Sequence, residues 1–545
     1  MIDTTATQAQ LIKQLCLVLN KKFQSEVEVI ETHISTILLV DKFAFKIKKP
    51  VDFGFLNFTT LDKREFFCKE ELRLNRRLAP SYYLGVESIT GSINYPIISD
   101  PKNPHKNSPK DTIEYMVKMR RFDQQGQLDH LLKRNQLNSS HMDELAKSIA
   151  RFHATVDIAN EQTHPSLVKS IENAVKQNFE QVSPFLDQFN AEIQAVFQSL
   201  LDWSQSNLNS LRPIFQSRLE QGYVRECHGD MHTGNIARKL NQGQNLDQNQ
   251  NQDPIIIFDA IEFNPDFRWI DVMSEMAFIT MDLEFNGRPD LSYQLLNNYL
   301  EYTGDYQGLE IFRFYQAYRS MVRAKVNCLR LSQLAAKEPE YQTEYKETLN
   351  TIYQYLKLAQ TFTQANETFL IITQGVSGSG KSFASKQLLK HYRMIRVRSD
   401  VERKRLFPEK HNRYQTQATQ QTYDYLHALA GKIMTYGYSV ILDATYLKKA
   451  FRKAAKETAE QLHQNFYILS LTHDKSVLEK RIRKRRHNPN NPSEATIEVM
   501  HSQLNSLEPL DSIEKQDAVF IDNNENVVET LGNHLKKRPE KTVSK

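Results

Sequence analysis

The run Gln374-Gly375-Val376-Ser377-Gly378-Ser379-Gly380-Lys381-Ser382 follows the apolar stretch 369–372 and constrains the chain more than any other segment in it. An apolar strand running into glycines at this spacing, closed by Lys-Ser, is the pattern of a phosphate-binding P-loop. Gly375, Gly378 and Gly380 let the backbone curl around Ser379 so that successive N–H groups face a phosphate. Lys381 then reaches the β- and γ-phosphates, and the Ser382 hydroxyl is a ligand for Mg²⁺. A merely flexible Gly/Ser turn would need neither the preceding strand nor the Lys-Ser pair. The expected cofactors are therefore ATP and Mg²⁺.

Beyond the P-loop, apolar strand candidates recur at 394–397, 440–442, 466–471 and 518–521, separated by helical stretches. Strands alternating with helices predict a mostly parallel sheet covered on both faces, with ligands at its carboxyl edge. Asp400 and Arg403 stand at that edge. Asp400 is the candidate base for an acceptor hydroxyl, and Arg403 the candidate partner of an acceptor phosphate; a helix-capping Asp with an outward Arg is the bland alternative. Asp443 ends the strand 440–442 and is expected to contact Mg²⁺. Six of the seven residues 480–486 are basic, with a Pro/Asn-rich loop to 492 behind them. A lid over residues 480–492, with Arg481 and Arg485 one turn apart and facing the transferring phosphoryl group, is the favoured reading; a nucleic-acid patch is its rival.

The 545 residues exceed what one core organises, so two or three domains are expected. Apolar content of 40% with 25% charged residues is that of a globular chain, without an apolar run near the ~20 residues of a membrane span. Without an export-signal pattern at the N-terminus, cytoplasmic residence is the default. Cys16, Cys68, Cys227 and Cys328 lack metal-knuckle spacing and read as mostly buried, reduced thiols. A net charge of +5 over this length does not by itself call for nucleic acid.

The first two-thirds of the chain has its own chemistry. Strand-like alternation at 43–48 puts Phe43, Phe45 and Ile47 on one face and Ala44, Lys46 and Lys48 on the other. The helical stretch 61–78 turns Glu71 inward, and a strand lysine facing a helix glutamate is how protein-kinase-like folds hold the α- and β-phosphates. The run 113–119 reads as a strand between two lobes, and helices dominate 127–221. In the segment from Cys227 to Asn235, Asp230 and Asn235 have the kinase catalytic-loop spacing of base and Mg²⁺ ligand, and Asp259 follows the strand 255–258 as a second metal carboxylate. A turn capped by local hydrogen bonds is the alternative. His228 and His232 are expected to support the loop. Residues 241–252 read as a hairpin tip. Asp271, Glu275 and Asp282 read as a partly solvated helix face rather than loop supports, and Arg319, Arg323, Lys325 and Arg330 as a basic helix face.

Residues 45–50, 74–80, 227–235 and 258–263 together resemble the bacterial aminoglycoside phosphotransferase-like family, over about residues 25–330. In the branch it most resembles, such a domain precedes a P-loop kinase domain. The resemblance implies a bilobal protein-kinase-like fold in which Asp230 is the catalytic base, Asn235 and Asp259 hold Mg²⁺, and Lys46 with Glu71 positions ATP. Two departures stand out: no glycine lies between Ser25 and Phe43, and Asp259-Ala260-Ile261 replaces Asp-Phe-Gly. Residues 369–510 resemble the P-loop kinase group that includes 5′-hydroxyl polynucleotide kinases and zeta toxins. The expected organisation is α/β and α+β. A kinase-like domain covers 1–362, with a small lobe at about 25–120 and a large lobe at about 121–362, and a P-loop domain covers 366–545 with a solvated basic tail from 534. The expected activity is ATP- and Mg²⁺-dependent phosphoryl transfer by two tandem domains. A regulatory protein with a pseudokinase first domain and a nucleic-acid 5′-end kinase remain the alternatives. The hydroxyl acceptors, small-molecule or nucleic-acid, and the oligomeric state are left open.

Overall fold

The computed structural model describes residues 5–54, 56–98, 111–162, 164, 167–239, 254–335, 341–409, 411, 413, 415–485, 495–522 and 526–537. The expected hairpin tip at 241–252 and the lid residues 486–492 lie outside them. In chain order the elements are α1 (Thr5–Phe23), β1 (Glu28–Glu31), β2 (Ser35–Val40), β3 (Phe43–Lys48), α2 (Leu61–Asn75), β4 (Tyr83–Gly91), β5 (Pro96–Ile98) and β6 (Thr112–Arg120). Next come α3 (Leu128–Lys133), α4 (Ser139–Thr155), α5 (Leu167–Val182), α6 (Ala191–Glu220), β7 (Val224–Glu226), β8 (Ile236–Arg238), β9 (Ile255–Ile257), β10 (Trp269–Asp271), α7 (Val272–Phe285), α8 (Pro289–Thr303), α9 (Leu309–Ala335) and α10 (Gln342–Thr363). The last part holds β11 (Phe369–Gln374), α11 (Lys381–His391), β12 (Ile395–Arg398), α12 (Ser399–Leu406), α13 (Thr416–Thr435), β13 (Val440–Asp443), α14 (Lys449–Gln461), β14 (Asn465–Leu471), α15 (Lys475–Arg485), α16 (Ile497–Ser506), β15 (Ala518–Ile521) and α17 (Val527–Lys537).

The chain forms two compact units, one of Met1–Asp282 with Tyr318–Tyr355, the other of Leu283–Ala317 with Leu356–Lys545. In the first unit β1 to β6 make an antiparallel sheet of order β1-β2-β3-β6-β4-β5. The alternation read at 43–48 is observed: Phe45 and Ile47 pack with Leu11, Leu15 and Leu19 of α1, whose i, i+4 spacing makes one apolar stripe. Lys46 and Lys48 leave the opposite face toward α2, which the Thr60 side chain caps by accepting the Lys63 N–H. In the rest of this unit, β8 pairs antiparallel with β9 through Ile236 and Ile257. That register sets the residue before β8 beside the residue after β9, and the Phe258 N–H donates to the Asn235 carbonyl at 3.0 Å.

Two expectations fail here. Asp271, Glu275 and Asp282 do not form a solvated face: they are 2%, 1% and 4% exposed. α7 is buried from Val272 to Leu283, so its carboxylates are retained only by finding donors. Nor is Arg319 on a basic surface, being 5% exposed. Its guanidinium donates to the Gly229 and Ser274 carbonyls.

The second unit has the expected parallel sheet, of order β12-β13-β11-β14-β15. Ile371, Ile441 and Leu469 from its three inner strands and Val519 from the edge strand β15 pack with Leu388 and Leu389 of α11 and Leu531 of α17. Residues 534–537, read as the start of a solvated tail, belong to α17, and the His534 ring packs edge-on against Tyr467. The edge strand β12 is covered by α8. Asn297 donates to the Met394 carbonyl and accepts the Arg396 N–H at 2.6 Å, replacing the missing strand neighbour. All four cysteines are free, and three are buried. Among the described residues no helix is long and apolar enough to cross a membrane.

Candidate active sites

In the second unit, β11 delivers the chain to Gly375, whose φ of 151° and crowding leave no room for a side chain: a Cβ there would lie 2.6 Å from both the Leu471 carbonyl and the Ser379 hydroxyl. Gly378 and Gly380 also have positive φ, and Gly380 opens α11, so the loop ends on a helix N-terminus. Lys381 turns its ammonium onto the loop and donates to the Val376 carbonyl at 2.8 Å. Ser379 Oγ is buried without a hydrogen-bond partner among the described residues. A side-chain-free curl, a lysine resting on its own loop and an orphaned hydroxyl fit a phosphate group. The oxygen donors of Ser382 and Asp443 fit a hard cation such as Mg²⁺.

The loop opens into a cleft of about 750 Å³ lined by Lys381, Ser382, Arg398, Asp400, Arg403 and Asp443 among others. Asp443 ends β13, is 6% exposed and accepts from Ser385 Oγ at 3.1 Å. Asp400 lies in the first turn of α12. Arg403, one turn on, donates to the Arg413 carbonyl at 2.8 Å and to Thr419 Oγ1 at 3.2 Å, so it is anchored while lining the cleft. Arg481 reaches the loop from α15, its guanidinium 3.4 Å from the Gly378 carbonyl. The side chain of Arg485 lies outside the described residues. Also lining the cleft, the rings of Tyr423 and Phe451 stack with centroids 4.0 Å apart, and Tyr423 bonds Thr445 Oγ1.

His427 lies one turn beyond Tyr423 on α13, with its ring 3.1 Å from the Tyr446 hydroxyl. Burial pushes its pKa down from 6.5 to about 4. The unfolded chain therefore takes up this proton first. The stability that neutral His427 contributes is complete above the unfolded value and is lost as pH falls toward the folded one, by ~1.4 kcal/mol per pH unit. An NMR titration of the His427 ring is expected to show a midpoint near 4; a midpoint at the ordinary value contradicts the burial argument.

In the first unit, the loop between β7 and β8 carries Asp230 and Asn235. Gly229 has a φ of 89°, and a Cβ there would meet the Phe267 carbonyl at 2.6 Å. The Asn235 amide donates to the Asp230 carboxylate at 3.0 Å. His232 Nε2 stands 3.5 Å from that carboxylate, which keeps 35% of its side chain exposed. Burial alone would raise the Asp230 pKa, but the neighbouring His232, Arg323 and His228 hold it well below the usual range. As expected, the two histidines support the loop: His228 contacts the Phe258 carbonyl and accepts the Asp230 N–H, and His232 accepts the Gly234 N–H. Glu275 accepts the N–H groups of His228 and Gly229, and Asp282 accepts both the Thr233 N–H and its hydroxyl. His153, Cys227 and Glu275 also bring three donor atoms within 4.8 Å of one another. Both Glu275 oxygens are already engaged by the loop, so this cluster reads as support.

Lys46 pairs with Glu71 at 3.0 Å and with Asp259 at 2.5 Å. Lys48, two residues on and on the same face, pairs with the other Glu71 oxygen at 2.7 Å and with Glu262. Burial favours neutral Lys46, but the Asp259 and Glu71 carboxylates override it and hold its pKa well above the ordinary value. Asp259 itself sits at a φ of 65°, with its N–H on the Tyr83 hydroxyl. The Ile261 N–H donates to the His228 carbonyl at 3.0 Å, tying this segment to the Asp230 loop. Sequence reading named Lys46, Glu71 and Asp259. It gave no role to Lys48 or Glu262, although their spacing of two from Lys46 and three from Asp259 was the available signal.

Residues 370–510 match the family model described as AAA domain. Uncharacterised proteins of Mycobacterium tuberculosis and Mycobacterium bovis are each 27% identical over 448 residues, which cover 80% of this chain and 82% of theirs. Among solved structures, the chain is similar to a gluconokinase from Sinorhizobium meliloti, at 18% identity and a TM-score of 0.24 over 31% of this chain and 90% of that one. It is also similar to Chaetomium thermophilum Kti12 in complex with ADP-AlF3, at 16% identity and a TM-score of 0.26 over 31% of this chain and 96% of that one.

Proposed function

We propose that the protein is an ATP- and Mg²⁺-dependent phosphotransferase whose P-loop cleft moves a γ-phosphoryl group to a hydroxyl acceptor. The observation that carries this reading is one cleft lined together by the glycine cradle with Lys381, by Asp400 with Arg403, and by Asp443. A nucleotide-switch site needs the cradle and a metal carboxylate, but has no use for a second carboxylate and an anchored arginine.

The residues divide the work as follows. The backbone of residues 375–380, Lys381 and Ser382 hold the phosphates. Ser382 and Asp443 would hold Mg²⁺, which when bound neutralises phosphate charge and orients the transferring group. Asp400 takes the proton from the acceptor hydroxyl. Arg403, fixed by Arg413 and Thr419, orients the acceptor, and Arg481 faces the charge that develops on transfer. The stacked Tyr423 and Phe451 wall off the acceptor end from water.

In the first unit we propose a second site of the protein-kinase-like kind. There Lys46 held by Glu71 takes the α- and β-phosphates, Asn235 and Asp259 take Mg²⁺, and Asp230 is the base. One observation favours a regulatory role instead: β1 and β2 are joined by residues 32–34 alone, closed by the Thr32 N–H on the Ser35 carbonyl, with no glycine to cover a nucleotide.

Labelled ATP and a panel of metabolites, nucleosides and 5′-hydroxyl oligonucleotides separate these readings in the full chain. Asp400→Asn is expected to lower acceptor phosphorylation by ~10²–10⁴-fold with nucleotide affinity unchanged. Asp230→Asn is expected to do the same for any acceptor served by the first unit. Phosphorylation that survives both substitutions overturns the assignment. An oligonucleotide as the acceptor lost in Asp400→Asn identifies an end kinase, and the absence of any acceptor lost in Asp230→Asn leaves the first unit regulatory.

A further inference from the structure

Arg398 sits between two carboxylates. Parallel pairing of β12 with β13 places it directly opposite Asp443, and its Nε lies 3.7 Å from Asp443 Oδ2. Its Nη1 donates to Glu301 Oε2 at 3.3 Å. Glu301 belongs to the last turn of α8, far outside the residues 370–510 that match the AAA domain model. The other Glu301 oxygen receives Arg396 Nη2 at 2.6 Å and Nε at 3.1 Å, so Glu301 is a fork holding the two same-face arginines of β12. The fork is itself braced: Arg405 of α12 donates to the Glu301 carbonyl at 2.8 Å, and the Tyr306 hydroxyl donates to the buried Glu402 at 3.1 Å.

A guanidinium does not lose its proton in a protein, so Arg398 carries its charge permanently beside the carboxylate assigned to Mg²⁺. Arginine and metal compete for the same oxygens. The outcome depends on where Arg398 is held, and its hydrogen bond goes to Glu301.

We propose that Glu301 is a positioning residue of the P-loop site: by engaging Arg398 it keeps Asp443 open to Mg²⁺. The helix α8 is then a working part of that site as well as a cover for the sheet edge. This rests on the P-loop reading above.

The test uses the full chain and a fluorescent ADP analogue titrated with Mg²⁺. Glu301→Gln frees Arg398 to turn to Asp443, and the Mg²⁺ needed to tighten nucleotide binding is expected to rise about tenfold, the usual size for loss of a residue that orients a metal ligand. Metal-free nucleotide affinity stays unchanged. Glu301→Gln combined with Arg398→Gln restores the original Mg²⁺ requirement, because the competitor is gone. A residue acting only as a brace would weaken metal-free binding as well and would not be rescued. An unchanged Mg²⁺ requirement in Glu301→Gln, or no rescue in the double variant, overturns the inference. Should Glu301→Gln fail to fold, Glu301→Asp decides: its shorter carboxylate loosens the hold on Arg398 and raises the Mg²⁺ requirement if the inference holds, and an unaltered requirement overturns it. A wild-type chain that binds no nucleotide at all overturns the P-loop reading and this inference together, and is distinguished from failure of the inference alone by the wild-type titration.

Discussion

Lys381→Ala is expected to lower ATP turnover at the P-loop site by ~10²–10³-fold, the scale on which single preorganised donors to a developing oxyanion act. The reason is positional. The ammonium rests 2.8 Å from the Val376 carbonyl, at the head of α11 and inside a curl that Gly375, Gly378 and Gly380 keep clear of side chains. Among the described residues, Lys448 is the one other lysine lining that cleft. Lys448 is half-exposed and already paired with Glu508 at 3.1 Å, so it does not replace the lost charge. The measurement is best made in an Asp230→Asn background, so that turnover by the first unit does not mask the effect. Calorimetry on the same variant reports the binding component, and turnover that remains at the wild-type rate in the doubly substituted chain refutes the assignment of this loop.

What was legible in the sequence was whatever is local. The P-loop could be read because cradle, lysine and hydroxyl are consecutive and the physics that selects glycine there acts on each residue's own backbone. Asp230 and Asn235 could be read because a five-residue spacing encloses one loop, and the structure bonds the two side chains at 3.0 Å. The parallel sheet followed from apolar strands alternating with helices. What pattern reading missed depends on partners remote in the chain. Glu275 reaches the His228 N–H across 47 residues, Asp282 reaches Thr233 across 49, and Arg319 reaches Gly229 across 90. A charged residue among apolar ones at helical spacing reads as a solvated face unless its partner is known, because burial without a donor or acceptor is costly. On α7 most of the donors are backbone N–H groups of a loop, which carry no side-chain signature at all. The same holds for Glu301 and Arg398, 97 residues apart.

The Lys46, Lys48, Glu71 and Glu262 cluster yields the second large effect, on stability. Lys48 and Glu71 are fully buried, Lys46 is 6% and Glu262 3% exposed. Removing one member of such a set strands a charge whose burial was tolerable only in company, at a cost of ~3–5 kcal/mol. Glu71→Ala is expected to destabilise the first unit by that amount, since it takes the carboxylate shared by both lysines. By contrast, Lys48→Met together with Glu262→Gln removes a facing pair, and the double substitution is expected to cost less than the sum of the two single ones, because neither leaves the other stranded. Both tryptophans, Trp203 and Trp269, belong to the first unit, so urea unfolding followed by tryptophan fluorescence reports this unit without a signal from the P-loop part. A Glu71→Ala midpoint equal to wild type would mean that water or a rearranged Asp259 solvates the lysines at no cost. The cluster would then be poised for a ligand rather than built for stability. An additive Lys48/Glu262 pair would mean that the two side chains are not coupled despite their contact. The expected result, a large single-site loss with coupling between Lys48 and Glu262, makes Lys46 the lysine left to serve a phosphate: it is the one paired with the half-exposed Asp259, whereas Lys48 is shut in between Glu71 and Glu262.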